Sequence, residues 1–507
     1  MLLPPLLGAL LVAGCGTTVP GASTSAASGS LGPAGAGTAA AAPGGAPAGA
    51  QGAVGSAGAT GGSGAAGQQL AAANNSAAAG APGGGLTISN GPGVTATTVI
   101  LGVSYYQSAK EANAALGAKG VDTGDPVAAA RILIAAINRQ GGIAGRQVRL
   151  LTYGIDPQSS TPYATEAQAE CTYFTEDHKV FAVIDGTPAA DVRPCLAQRG
   201  VADFGGALVT AEMKSNEFDA YAARLDRVYR AMVPSLMQQG WFGGWDRTTG
   251  SPGVTRAKTG IVMADSPADN RVVDGTLIPA LRRAGYAPAA GDVIRITPPG
   301  GFSDDGATVA AIDNAALKLN ADGVDHVILT DGNGSLSLLF NNYAYSQHYF
   351  PRYGGTSGNA WQVLLAAGDL QAQTLHGAMG IGWQPLFDLP YQSGDGPDSN
   401  ADRHACFRLF SRAGQSKTDA ASAGGQAEAC DVALLLPFAF RGYRGPINLS
   451  VITQHVEALG TSYPLASGFS SRFGPDHNDG TGAFKAMHFD DGCGCIQYSG
   501  GVQSMPD

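Results

Sequence analysis

The chain has 507 residues, 44% hydrophobic and only 14% charged, with a formal net charge of −10. An acidic chain without a cluster of Lys and Arg lacks the cationic surface that nucleic-acid phosphates require, so a nucleic-acid partner is excluded. The length exceeds what one hydrophobic core organises, at ~100–200 residues per domain, so more than one folded unit is expected.

Residues 2–12 form an apolar run, well short of the ~20 residues that span a bilayer, and small residues follow it. The segment 1–15 reads as an export signal. Leu11-Val12-Ala13-Gly14-Cys15 resembles the bacterial lipobox, in which the cysteine is acylated and becomes the new N-terminus. That resemblance implies a lipid anchor at Cys15 and a place on the extracytoplasmic face of the cell membrane. Residues 16–95 are almost entirely Ala, Gly, Ser, Pro and Thr without periodicity. Such a segment buries too little apolar surface to offset its ordering entropy and is expected to be a disordered tether, with a span of roughly 50 Å.

The first strong folding signal is residues 99–103, a short apolar strand, followed by residues 125–154. Asp125 is placed to cap a helix that accepts Pro126 in its first turn, and Val127, Ala130, Ile134 and Ile137 recur at helical spacing. Gly141 and Gly142 end the helix, and residues 148–153 read as a buried strand, completing a βαβ unit. Asn138 closing the helix, then Gly141-Gly142-Ile143 with Gly145-Arg146 and an apolar strand, resembles the first crossover of type I periplasmic binding proteins, the branched-chain amino acid receptor family. The order of elements resembles that family from about Thr97 to the C-terminus.

Along the rest of the chain, residues 161–175 are helix-like, 180–184 a strand, 185–188 a turn, a helix runs to about Gln198, and 201–204 is a strand ending at Gly205-Gly206. Strands alternating with helices imply a parallel sheet covered on both faces. The rhythm then repeats. Residues 259–264 are a strand, Asp269 or Asn270 caps a helix to Ala284, 293–296 is a strand, Asp304 or Asp305 caps a helix, and 324–330 is a strand. The expected architecture is α/β, two doubly wound parallel-sheet lobes. The resemblance implies a three-crossing hinge, with crossings near residues 229–234, 380–385 and 473–482. The first lobe is then 96–232 plus 384–475, and the second 233–383 plus 476–507.

Beyond Cys15 six cysteines remain, Cys171, Cys195, Cys406, Cys430, Cys493 and Cys495. An even number in an exported chain suggests disulfides; 15 connectivities are possible, and pairing of sequence neighbours is the expectation. No His or Cys spacing matches a metal site, and neither a metal nor a cofactor is expected.

Ligands of open parallel sheets bind beyond the carboxyl ends of strands. In the first lobe the candidates are Tyr105, Tyr106 and Gln107, then Thr187 and Pro188, then Gly205 and Gly206. In the second they are Asp265 and Ser266, Asp331 and Asn333, and Thr356 and Ser357. In amino acid receptors of the resembling family, first-lobe hydroxyls and amides hold the α-carboxylate and a second-lobe acid holds the ammonium. Here the corresponding second-lobe turn, Gly355-Thr356-Ser357-Gly358, has no acid, and Asp331 is the substitute.

Enzyme signatures are absent: there is no Gly-x-Ser-x-Gly and no His-Glu-x-x-His, and Gly332-Asn333-Gly334-Ser335 lacks the lysine of a phosphate loop. His477-Asn478-Asp479-Gly480 reads as a hairpin turn. The resemblance implies a monomeric receptor that captures a small polar, amino-acid-like solute and presents it to the permease of an ABC-type importer. The alternative is a sensing or interaction lipoprotein without transport.

Overall fold

The computed structural model describes residues 89–108, 110, 113–114, 117–184, 192–205, 216–301, 305–330, 332, 334–392, 400–475 and 477–507. Cys15, Thr187, Pro188, Gly206, Asp331 and Asn333 lie outside the described residues, as does the tether up to residue 88. Residues 89–95, expected to belong to the tether, are instead packed. The Asn90 side chain accepts from the Ile447 amide (3.0 Å), Gly91 N donates to Ile447 O (2.8 Å), and the Thr95 carbonyl accepts from Arg146 Nε (2.9 Å).

The first sheet contains β1 (Thr98–Tyr106), β2 (Gln147–Ile155), β3 (Ala182–Ile184), β4 (Ala202–Phe204) and β5 (Glu217–Phe218), all parallel, in the order β2-β1-β3-β4-β5. Strand alternation sorts its side chains. Val99, Leu101 and Val103 enter one core, and Ile100 packs against the other with Val183 and Phe174. Between them Gly102 is obligatory, because a Cβ there would stand 2.5 Å from the Phe174 ring. Helix α1 (Pro126–Arg139) is capped by Asp125, whose carboxylate accepts from the Val127 and Ala128 amides at 2.9 and 3.0 Å. The asparagine that closes the helix pins β2 to its end, with Asn138 Oδ1 accepting from Val148 N (2.7 Å) and Nδ2 donating to Val148 O (2.9 Å).

Helices α2 (Tyr163–Thr172) and α3 (Val192–Gln198) cover the Phe174 face and are joined by the Cys171–Cys195 disulfide. Next comes α4 (Leu225–Gln238), the first element of the second lobe. The first crossing was expected at 229–234, but that stretch lies inside α4, whose Val228, Met232 and Leu236 are all buried in a second-lobe core. Residues 219–224 therefore make the crossing.

A short antiparallel pair, β6 (Trp245–Asp246) and β7 (Ser251–Pro252), precedes the second sheet. That sheet contains β8 (Thr259–Ala264), β9 (Val293–Ile296), β10 (His326–Leu329), β11 (Arg352–Thr356), β12 (Met379–Gly382), β13 (Ala483–Asp490) and β14 (Cys495–Ser504), ordered β14-β13-β12-β11-β10-β8-β9. β8 to β12 are parallel; β13 and β14 form an antiparallel hairpin on the β12 edge. After β8, α5 (Pro267–Val272) runs through a π turn into α6 (Ile278–Ala284), and its cap is Ser266, since Pro267 fixes the first turn one residue later. The other helices of this lobe are α7 (Asp305–Ala321), α8 (Ser335–Ser346) and α9 (Trp361–Ala366).

After β12 the chain returns through α10 (Pro385–Asp388) to α11 (Ala401–Arg412), α12 (Ala420–Ala439) and α13 (Leu449–Glu457), which complete the first-lobe core through Phe407, Phe410, Leu436 and Ile452. Cys406 on α11 is bonded to Cys430 on α12. Each of the two helix-joining disulfides closes a loop of 24 residues, worth about 3 kcal/mol on the chain-entropy argument. Cys493–Cys495 lies in the β13–β14 turn.

The first and third crossings run side by side. Asp219 bridges Asp479 in parallel register, Asp219 N donates to Asn478 O (2.9 Å), and Thr481 N donates to Ala222 O (3.1 Å). Asp479, expected in a hairpin turn, is instead fully buried: it forms an ion pair with Arg227 and accepts from Arg224 N at 2.8 Å. Gly480 permits this closeness, since a Cβ would lie 2.3 Å from Ala220 O.

The lobes also touch away from the crossings. The loop after β1 sends Ala118 and Val121 into the core of the second lobe, and the Lys119 and Gly120 amides donate to the two Asp369 oxygens at 3.1 and 3.4 Å. Tyr163 N donates to Gly300 O at 2.9 Å, and Pro162 bridges Gly301.

Candidate functional site

The carboxyl ends of β1 and β4 bring Tyr105, Tyr106, Gln107 and Gly205 to one edge of the first sheet. Tyr105 and Tyr106 are successive strand residues and so point to opposite faces. Tyr106 is buried; Tyr105 lies over Gly154 of β2, where a Cβ would be 2.9 Å from its hydroxyl, and Gln107 Nε2 donates to Gly154 O at 3.1 Å. The two rings therefore do not form one wall. Gly205 is tied to the sheet edge, its amide donating to Phe218 O at 3.0 Å.

On the second lobe, Asp265 is exposed and accepts from Asn270 Nδ2 at 2.7 Å. Ser266 is committed as a cap, accepting from Asp269 N (3.0 Å) and donating to Asp269 Oδ2 (2.6 Å). Thr356 caps a single helical turn with Asn359, whose Oδ1 accepts from Thr356 N at 2.6 Å. These three residues serve local structure.

Ser357 is different. Its hydroxyl donates to Asp388 Oδ2 at 2.7 Å and accepts from Trp383 N at 2.8 Å. The same Asp388 oxygen accepts from Tyr498 Oη (2.6 Å) and Gln384 N (3.1 Å). A carboxylate from α10, where the chain leaves the second sheet, thus lies against the turn at 355–358, and Tyr498 of β14 also donates to it. Gly382 makes room, because a Cβ would stand 2.4 Å from Asp388 Oδ2. Gln384 extends the cluster into the first lobe by donating from Nε2 to Glu428 Oε1 of α12 at 2.8 Å.

Burial governs the electrostatics. It raises Asp388 to about 6, against the lowering effect of the Tyr498 and Ser357 hydrogen bonds. Burial, with Asp219 and Asp431 nearby, pushes Glu428 well above the usual carboxyl range. Burial likewise raises Asp431 to about 6, although Ser467 and the Ala466 and Ser467 amides hydrogen-bond it. Among the described residues, Glu428 Oε2, the Tyr221 hydroxyl and the Trp383 indole N–H are buried without a protein partner. An acid kept protonated can donate as well as accept, so the cluster offers donors to an anionic group and acceptors to a cationic one.

Ser357 is the single residue of this cluster that strand-end reasoning nominated. Asp388, Gln384, Glu428 and Tyr498 come from elsewhere in the chain, and their sequence signal is weak: an acid and an amide just past the second crossing, where Pro385 opens a short helix. A separate groove of about 640 Å³, lined by Leu409, Leu434, Phe438, Arg441, Arg444 and Tyr463 among others, lies on the first lobe. Its lining contains no strand-end residue and no residue of the second lobe, so lobe closure cannot act on it.

No family model matches the sequence, and no curated protein matches it. Solved structures do match the fold. A possible leucine/isoleucine/valine-binding protein from Rhodopirellula baltica SH 1 superposes with a TM-score of 0.54 at 16% identity, covering 80% of this chain and 97% of that one. A fatty acid ABC transporter substrate-binding protein from Thermomonospora curvata gives 0.54 at 16% identity, covering 82% and 95%. An extracellular ligand-binding receptor from Verminephrobacter eiseniae gives 0.53 at 15% identity, covering 79% and 100%. The architecture is that of the type I periplasmic binding proteins, two doubly wound α/β lobes.

Proposed function

We propose that the chain is a solute-binding receptor of an ABC-type importer, held outside the cell membrane through a lipidated Cys15, that captures a small carboxylate-bearing solute between its lobes. The observation that carries this reading is the pair of α/β lobes with three crossings, in which Ser357, Asp388 and Gln384 beyond the second sheet's strand ends form a polar cluster that reaches Glu428 of the first-lobe helix α12. Solved proteins of this fold include a possible leucine/isoleucine/valine-binding protein and a fatty acid ABC transporter substrate-binding protein. Those ligands share a carboxylate on an aliphatic chain. The Trp383 indole N–H and the Tyr221 hydroxyl are neutral donors of the kind that hold such a group, and Asp388 is the carboxyl to which an amine would pair in place of Asp331. Tyr105 and Gln107 supply the first-lobe wall.

Purification without unfolding, followed by denaturation and mass spectrometry, should release one small carboxylate in near-stoichiometric amount. Adding it back should raise the melting temperature, and Asp388→Asn and Ser357→Ala should weaken its binding at least tenfold. A chain that retains nothing, and whose melting is unmoved by branched-chain amino acids or fatty acids, is not such a receptor. Cys15→Ser should release the protein from the membrane fraction; a variant still processed and membrane-bound refutes the anchor.

A further inference from the structure

Two of the three disulfides are structural by every local measure. Cys171, Cys406 and Cys430 are at most 2% exposed, Cys195 is only partly exposed, and each bond ties two helices across 24 residues of chain. The third is built differently. Cys493 and Cys495 are separated by one residue, Gly494, which sits at φ +62 where an L side chain would be strained. The turn 491–494 joins β13 and β14 at the end where β13 pairs with the start of β12, away from the strand ends that face the other lobe. Cys493 is exposed, and Cys495 is 7% exposed at the first position of β14.

A bond that closes so short a loop removes little entropy from the unfolded chain, so folding hardly holds it closed. The β13–β14 hairpin does not depend on it either: the strands pair from Asp490↔Cys495 to Ala483↔Ser504, and Phe489 and Ile496 are buried in the second-lobe core. Exposed bonds that the fold does not hold closed are the labile ones.

We infer that Cys493–Cys495 is a thiol–disulfide exchange site, reversibly reduced by an extracytoplasmic dithiol while the other two bonds stay closed. The thiolate of the dithiol attacks the accessible Cys493 Sγ and forms a mixed disulfide. The bonding pair leaves on Cys495 Sγ, where Gln497 Nε2, 3.3 Å away, donates a hydrogen bond to the departing thiolate before it takes up a proton. The second thiol of the donor then attacks the mixed disulfide and releases Cys493 as a thiol. Two electrons and two protons pass to the pair, and the donor leaves as its own disulfide.

The rim selects the donor. Asp490 precedes the turn and Asp491 opens it, and His376 Nε2 stands 3.5 Å from Asp491 Oδ1. Two carboxylates repel an anionic thiol, so a neutral dithiol reacts faster than glutathione, and salt narrows the difference.

The full-length protein, folded and oxidised, is exposed to increasing dithiothreitol, quenched by alkylation and peptide-mapped. Cys493 and Cys495 should be labelled at a dithiol concentration about tenfold or more below that which opens either other bond, with unchanged circular dichroism. Opening of all three together, or of this pair only on unfolding, overturns the inference. The double variant Cys493→Ser/Cys495→Ser should fold and lose the early two-thiol step. If that step persists, the labile bond is elsewhere and the assignment is wrong.

Discussion

Ser357→Ala should leave the Trp383 amide and one Asp388 oxygen short of a buried partner, costing about 1–3 kcal/mol in denaturant unfolding. Ser357 was legible in the sequence, because a residue's place at the end of an apolar run is a local signal. Asp388 was not, since it is brought to Ser357 across 31 residues by the return of the chain. Nor were Tyr105 and Tyr106 separable, whose opposite directions follow from strand alternation through the whole of β1. The buried acids also fix the sign of the pH dependence. Asp388 and Asp431 are raised to about 6 and Asp219 to about 7, so each binds its proton more tightly folded than unfolded. Their contribution is complete below about pH 4 and is lost as pH rises through 6 to 7. His477, which burial lowers, acts in the opposite sense, but it is one group against three. The melting temperature should therefore rise between pH 8 and pH 5, and calorimetry of Asp388→Asn should show a shallower rise. A fall over that interval contradicts the assignment.

At the scale of elements, periodicity was sufficient where one face is buried and a cap is explicit. The α1 helix and β2 were legible from Asp125 to Tyr153 for that reason, and β9 at residues 293–296 was legible by its apolar run. The β13–β14 hairpin was not, since its outer strand, CIQYSGGVQS, is largely polar and takes its register from β13. The crossing before α4 was misplaced because a helix with ten buried residues gives the same pattern whichever lobe it serves. Asp125→Ala should cost about 1 kcal/mol by removing the α1 cap. Asp479→Ala should cost far more, about 3–5 kcal/mol, because Arg227 would remain buried without its carboxylate. Urea unfolding of the two variants checks the ranking; equal costs would mean that solvent reaches Arg227.

For the whole molecule, the three crossings are one kind of link between lobes and the loop after β1 is another. Its Ala118 and Val121 are at most 1% exposed within the core of the opposite lobe, and its backbone is held by Asp369. Asp369→Ala should speed amide exchange at Lys119, Gly120 and Tyr163, whose hydrogen bonds cross between lobes, without changing exchange within β1. If only Lys119 and Gly120 respond, the loop and the Pro162–Gly301 contact open independently.

The anchored loop carries a consequence for resting behaviour. A two-lobed trap is ordinarily wide apart when vacant, and cargo spends part of its interaction energy drawing the halves together. On the receptor reading proposed above, parting the halves would first have to draw Ala118 and Val121 out of a packed interior, a cost that favours the closed arrangement of the vacant molecule. Capture would then wait on brief excursions, with a slower on-rate, and the grip, once made, would keep the reorganisation energy. A membrane partner that told loaded from vacant by shape alone would be poorly informed by such a molecule, and its discrimination would rest on something finer, such as the order of the strand-end loops.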